Sequence, residues 1–143
     1  MGGTFDHFHV GHEKLLFAAA SLCRKKIIIG ITSMSMLKKK QYSKYIQSYE
    51  ERARNVQNYL TIQFPHLAQN IVIEALVDPY GPAITEAEIG AIVVSCETIG
   101  GAVKINEIRK TKNLKPCRIV AIRRTLPNTV SSTALRKQKT SFW

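Results

Sequence analysis

An α/β fold built on a doubly wound parallel sheet is the class this sequence predicts. Three observations carry it. Short apolar runs alternate along the chain with longer stretches of helical periodicity. The run Ile27-Ile28-Ile29-Gly30-Ile31 is apolar at nearly every position, as in a strand covered on both faces. Proline and glycine punctuate the joins, most densely at Asp78-Pro79-Tyr80-Gly81-Pro82.

The elements follow in order. Met1 to Phe5 reads as the tail of a first strand, and Gly11 to Cys23 as a helix with Leu15, Leu16, Ala19, Ala20 and Cys23 at helical spacing. Lys26 to Thr32 is the second strand. Ser48 opens a long helix with Glu50 and Glu51 in its first turn; Val56, Tyr59, Leu60 and Phe64 form its apolar stripe, and Pro65 stops it. Ile71 to Val77 and Ala91 to Val94 are the third and fourth strands. Thr98 to Thr111 is helical, with Val103, Ile105 and Ile108 expected to face inward, and Arg118 to Ile122 is the fifth strand. Ser132 onward reads as a last short helix. The expected whole is a Rossmann-like five-stranded parallel sheet in the order 3-2-1-4-5, one domain over residues 1–143, without repeat or linker.

Composition narrows the function. With 45% hydrophobic and 22% charged residues the chain is globular, and no apolar run is long enough to span a bilayer. Cys23, Cys96 and Cys117 are too few and too scattered for a disulfide framework and read as reduced thiols, so a cytoplasmic protein without a secretory signal is expected. A net charge of +11 calls for an anionic partner. Its spread, from Arg24–Lys26 through Lys38–Lys40 and Lys110–Lys115 to Arg136–Lys139, reads mostly as a solvated surface rather than one stripe. A basic nucleic-acid module is the rival class. It has only Tyr42, Tyr45 and Tyr49 among lysines to offer for base stacking.

Chemistry concentrates at three stretches. Gly2-Gly3-Thr4-Phe5-Asp6 leads into His9-Val10-Gly11-His12, and Ser131-Ser132-Thr133 precedes Arg136. Each stands at the mouth of a predicted helix, where backbone N–H groups and the dipole attract phosphate. The glycines are expected to let the backbone approach a ligand, Thr4 to offer a hydroxyl to phosphate, and Asp6 to cap the helix. His9 and His12 are expected to donate to phosphate oxygens as charge develops. A zinc site on His7, His9 and His12 is the weaker alternative, because no further ligand stands at suitable spacing. Since ligands of doubly wound sheets bind beyond the carboxyl ends of the strands, these motifs fall on the edge where a site belongs.

Taken with Val93-Val94-Ser95-Cys96-Glu97-Thr98 and Ile105-Asn106-Glu107-Ile108-Arg109, the motifs resemble the phosphopantetheine adenylyltransferases of eukaryotes and archaea, within the HxGH nucleotidyltransferase superfamily. The resemblance runs through nearly the whole chain. It implies transfer of AMP from ATP to 4′-phosphopantetheine, giving dephospho-coenzyme A and pyrophosphate. It implies ATP contacts from Gly3, Thr4, Phe5, His9, His12, Arg109, Ser131, Ser132, Thr133 and Arg136. It implies acceptor contacts from Thr4, Lys38, Lys40 and Asp78, with His9, His12 and Lys40 nearest the chemistry. Mg²⁺ is expected to come with the triphosphate and to touch the protein little. A cytidylyltransferase or a nicotinamide mononucleotide adenylyltransferase is the alternative within enzymes. The sequence departs from the pattern at four points. Only Met1 precedes the glycines, so either the first strand is trimmed or residues lie upstream. Met34 and Ser35 stand where relatives tend to be acidic, and Gly90 takes another such place. The loop Thr125 to Thr129 is shorter than expected. No Gly-x-x-x-x-Gly-Lys-Ser/Thr motif occurs, so a fused kinase is not expected.

Overall fold

The computed structural model describes residues 1–37 and 45–123. Strand β1 is Gly2–Gly3, helix α1 Val10–Leu22, β2 Ile27–Thr32, α2 Met34–Leu37, α3 Tyr49–Gln63, β3 Ile71–Leu76, β4 Ala91–Ser95, α4 Ile99–Thr111 and β5 Arg118–Ile122. Short 3₁₀ turns fill Pro65–Asn70, Gly81–Ile84 and Cys96–Thr98. The last predicted helix, from Ser132, lies outside the described residues.

Alternation in β4 shows why helices lie on both sides. Val93 joins Ile27, Ile29 and Ile31 of β2, Leu16, Ala19 and Ala20 of α1, and Val56 and Leu60 of α3 in the main core. Its neighbour Ile92 points the other way and packs with Ala102 and Ile105 of α4 and with Cys117. Helix α3 begins as its sequence demands: the Ser48 side chain accepts from the Glu51 N–H at 3.2 Å.

The strands pair in parallel throughout, but not as one sheet. β2 lies between β1 and β3, and β4 pairs with β5. The expected halves 3-2-1 and 4-5 are both present; among the described residues no ladder joins β1 to β4. β1 has two residues, Gly2 and Gly3, and both are committed to β2, opposite Gly30 and Ile31.

Two expectations about faces are corrected. Val103 is exposed, because the buried stripe of α4 runs Ala102, Ile105, Arg109 at helical spacing. Asp6 does not cap α1. It is fully buried and accepts from the Gln47 N–H at 2.8 Å, and the cap falls to His9.

Candidate functional site

At the carboxyl ends of β1 and β2, and at the mouth of α1, the chain holds two histidines in one arrangement. His9 is the N-cap of α1, with extended backbone, and its Nδ1 accepts from the Gly11 N–H at 3.0 Å. The His9 N–H donates to Nδ1 of His12 at 3.2 Å. Their rings stack with centroids 3.9 Å apart and planes 27° from parallel. The spacing His-x-Gly-His builds this reciprocal cap, with imidazoles in the places that Ser and Glu more often take. It also fixes tautomers. A nitrogen that accepts from an N–H cannot carry a proton, so each neutral imidazole bears its proton on Nε2. Two Nε2–H donors then stand beside the positive end of a helix dipole. His12 is buried and packs at a tilt against Phe5 and Phe8, with centroids at 5.4 and 5.5 Å.

The loop before the histidines is held from beneath. Phe5 and His7 both adopt left-handed backbone, with φ of 54° and 48°. Non-glycine residues take this conformation only when their surroundings impose it. Here the Gln47 N–H donates to Asp6, and the Gln47 side-chain oxygen accepts from the His7 N–H at 2.9 Å. The His7 imidazole lies 3.4 Å from the Asp6 carboxylate.

Arg52, on α3, ties the same edge together. Its guanidinium is wholly buried. Nη1 donates to the Thr4 carbonyl at 3.0 Å and to the Thr32 carbonyl at 2.8 Å; Nε donates to the Gln47 carbonyl at 3.0 Å. One side chain thus binds the ends of β1 and β2 to the start of α3. Its Nη2 reaches Sδ of Met34 at 3.4 Å, where the resemblance leads one to expect a carboxylate. Sequence reading missed Arg52. The signal was its place four residues before Val56 and eight before Leu60, on the buried stripe.

The remaining expected residues divide. Thr4 is buried at the end of β1, and the room over its neighbours is taken. A Cβ on Gly2 would meet Leu76 at 3.2 Å, and one on Gly3 would meet the Phe5 ring at 3.2 Å. Close packing within the protein therefore accounts for these glycines. The Phe5 side chain lies in the core, leaving its backbone to face the loop. Asp78 stands just past β3 on the same edge. Its carboxylate accepts from the N–H groups of Gly81 and Tyr80, each at 2.8 Å, and these bonds hold its pKa below the usual carboxylate value. Ser95 and Thr98 share a hydroxyl contact of 3.1 Å at the end of β4.

Arg109 is a correction. It is 0% exposed near the amino end of β4, away from the histidines. Its guanidinium donates to the carbonyls of Lys115 and Ala83 at 2.7 Å, of Glu86 at 3.0 Å, and of Ala87 and Ile89 at 3.4 Å. A guanidinium has five N–H groups, so none is left for a phosphate. Among the described residues no three His, Cys, Asp or Glu side chains gather as metal ligands, which leaves His7, His9 and His12 without the geometry of a zinc site. Lys38, Lys40, Ser131, Ser132, Thr133 and Arg136 lie outside the described residues.

A family model described as cytidylyltransferase-like matches residues 1–138. The chain is 37% identical to the phosphopantetheine adenylyltransferase of Pyrobaculum aerophilum, over 96% of this chain and 88% of that one. It is 37% identical to the enzyme of the same name from Saccharomyces cerevisiae, over 81% of this chain and 37% of the yeast protein. An uncharacterised protein of Schizosaccharomyces pombe is 35% identical over 96% of this chain and 46% of its own length. The chain thus spans less than half of these two fungal relatives. A crystal structure of a protein of unknown function from Archaeoglobus fulgidus superposes with a TM-score of 0.74 at 30% identity, covering 88% of this chain and 98% of that one.

Proposed function

The chain belongs to the cytidylyltransferase-like family, and from that premise we propose that it transfers AMP from ATP to 4′-phosphopantetheine, forming dephospho-coenzyme A and pyrophosphate. The observation that carries the proposal is the reciprocal His9–His12 cap, in which both imidazoles are held by main-chain N–H groups at the mouth of α1. Relatives that share most of the chain and bear the name phosphopantetheine adenylyltransferase supply the acceptor.

The chemistry needs little else from the protein. An oxygen of the acceptor's phosphate bonds to the α-phosphorus of ATP, and the bond from that phosphorus to the bridging β-oxygen breaks. Pyrophosphate leaves with the electron pair. The nucleophile is already an anion at neutral pH, so no general base is required. The work is alignment and stabilisation of charge on the α-phosphate. His9 and His12 donate to oxygens whose charge grows in the transition state. Their stacking on each other, and the tilted contact of His12 with Phe8, hold the rings before substrate arrives. Thr4, Lys38 and Lys40 are assigned to the acceptor or α-phosphate, Asp78 to the acceptor, and Ser131, Ser132, Thr133 and Arg136 to the far phosphates, on the strength of the resemblance. Mg²⁺ arriving with ATP would neutralise charge on the triphosphate.

The two ladders belong, in this reading, to one sheet in the order 3-2-1-4-5. Val93 of β4 shares a core with Ile29 and Ile31 of β2, which favours it. A cytoplasmic setting fits the three free thiols.

The test is pyrophosphate release with ATP and Mg²⁺, offering 4′-phosphopantetheine, phosphocholine and nicotinamide mononucleotide in turn, with CTP replacing ATP as a further arm. Turnover restricted to ATP with 4′-phosphopantetheine supports the proposal. Turnover with CTP and phosphocholine alone replaces it.

A further inference from the structure

Gln47 grips the loop that leads into the histidines at two successive residues. Its main-chain N–H donates to Oδ1 of Asp6 at 2.8 Å, and its side-chain Oε1 accepts from the His7 N–H at 2.9 Å. Asp6 is wholly buried, so the first bond gives a donor to a carboxylate that has left water. The second holds the backbone of a residue in left-handed conformation, with φ of 48°. A residue without glycine's freedom stays there only while its surroundings outweigh the strain.

The consequence reaches the catalytic pair within two residues. Phe8 alone separates His7 from His9, and Phe8 is itself packed between His12 and Tyr59, with centroids at 5.5 and 5.8 Å. His9 then takes extended backbone, from which its N–H meets Nδ1 of His12 and its own Nδ1 meets the Gly11 N–H. The direction in which the chain enters this cap is set by the torsions of His7, and the bond to Gln47 holds those torsions.

The main chain of Gln47 is fixed independently of its side chain. Nε of Arg52 donates to its carbonyl at 3.0 Å. Ile46 before it is buried, and Ser48 after it caps α3. Exchanging the side chain therefore removes one hydrogen bond and leaves the segment anchored. The side chain borders a surface recess with Asn55, Asn58 and Tyr59, which leaves room for a replacement of similar length.

We propose that Gln47 is a positioning residue for the reaction. By accepting from the His7 N–H it holds the entry to the His9–His12 cap in the orientation that aligns both imidazoles with the α-phosphate. It acts through the histidines rather than on substrate. The inference rests on the adenylyl transfer proposed above, and it names a residue outside the glycine, histidine and serine motifs.

Two variants of the chain test it. Gln47→Met keeps the length and loses the oxygen, whereas Gln47→Glu keeps an oxygen in the same place. With ATP and 4′-phosphopantetheine, Gln47→Met should show a kcat about tenfold lower and a KM for ATP within about twofold of the parent, because misplaced donors cost rate more than ground-state binding. Gln47→Glu should recover kcat to within about threefold of the parent. Amide hydrogen exchange, read without substrate, is the second measurement. In Gln47→Met, exchange at His7 and His9 should quicken by about tenfold or more while β2 keeps the parent's rates, and Gln47→Glu should restore protection. Unchanged kcat in Gln47→Met, equal loss in both variants, or a KM for ATP that rises in step with the loss of kcat overturns the proposal. If the folded parent forms no dephospho-coenzyme A, the reading of the reaction fails, and the hold of Gln47 on the pair is judged by exchange alone. Quickening confined to His7 and His9 and reversed by Gln47→Glu then supports it; unchanged exchange, or quickening that extends through β2, overturns it.

Discussion

The main-chain N–H of His9 donates to Nδ1 of His12 at 3.2 Å, so the start of α1 is capped by the same rings to which the proposal assigns the phosphate contacts. Under the proposed reaction, donor geometry and helix geometry are one feature, and substitutions at this pair should show both.

His12→Ala should lower kcat by about 10²- to 10³-fold, the range for loss of one donor to developing charge. The KM for ATP should change much less, since many other groups hold the ground-state triphosphate. Loss of the cap should also cost about 1 kcal/mol of stability, seen in a thermal melt. Arg136→Ala, at a residue the proposal assigns to the far phosphates, should raise KM as well as lower kcat. Steady-state kinetics on both variants checks the contrast.

Arg109→Ala should act on stability alone. Removing the guanidinium strands several buried carbonyls, each costing about 1–3 kcal/mol when left unsatisfied. At a temperature where the variant remains folded, its KM for ATP should equal that of the parent. A KM raised tenfold in the folded variant would return Arg109 to the phosphate site.

Gly30→Ala should destabilise the protein by about 1–3 kcal/mol, because its new methyl would lie 2.5 Å from Leu76 Cδ2. Gly90→Ala is the control, since its methyl would meet no atom within 4 Å. Denaturant melts of the pair check the difference.

With Met1 carrying a free amino group, stability should rise between pH 6 and pH 8. Burial lowers the pKa of that group from 8.0 to about 6. In that window the unfolded chain binds more protons than the folded one, so ΔG of unfolding increases with pH, by about 2–3 kcal/mol in total. Below pH 6 the contribution is lost, because the folded state must then bury an ammonium. Acetylating the amino group should flatten the profile, which thermal melts across the range will show.

Much of this structure was legible because periodicity reports burial. The limits of β5 and the core of β2 follow from apolar runs, and the start of α3 follows from Ser48 and its two glutamates. What was not legible shares one cause: a charge on a buried stripe. Arg52 and Arg109 each sit where a helix turns inward, and pattern reading treats arginine as surface or as ligand. Only the carbonyls that surround them, from loops distant in sequence, make burial affordable. Asp6 was misjudged for the same reason, since its partner Gln47 lies 41 residues away. The His9–His12 pair was found by its spacing, but its role as a reciprocal cap appears only in three dimensions.

The most direct measurement is product analysis by mass spectrometry after incubation with Mg²⁺, ATP and 4′-phosphopantetheine. The account expects dephospho-coenzyme A and pyrophosphate in equal amounts, absent when any component is omitted and cut by about 10²-fold or more in folded His12→Ala. No dephospho-coenzyme A from the folded parent chain, or undiminished product from His12→Ala, would contradict it.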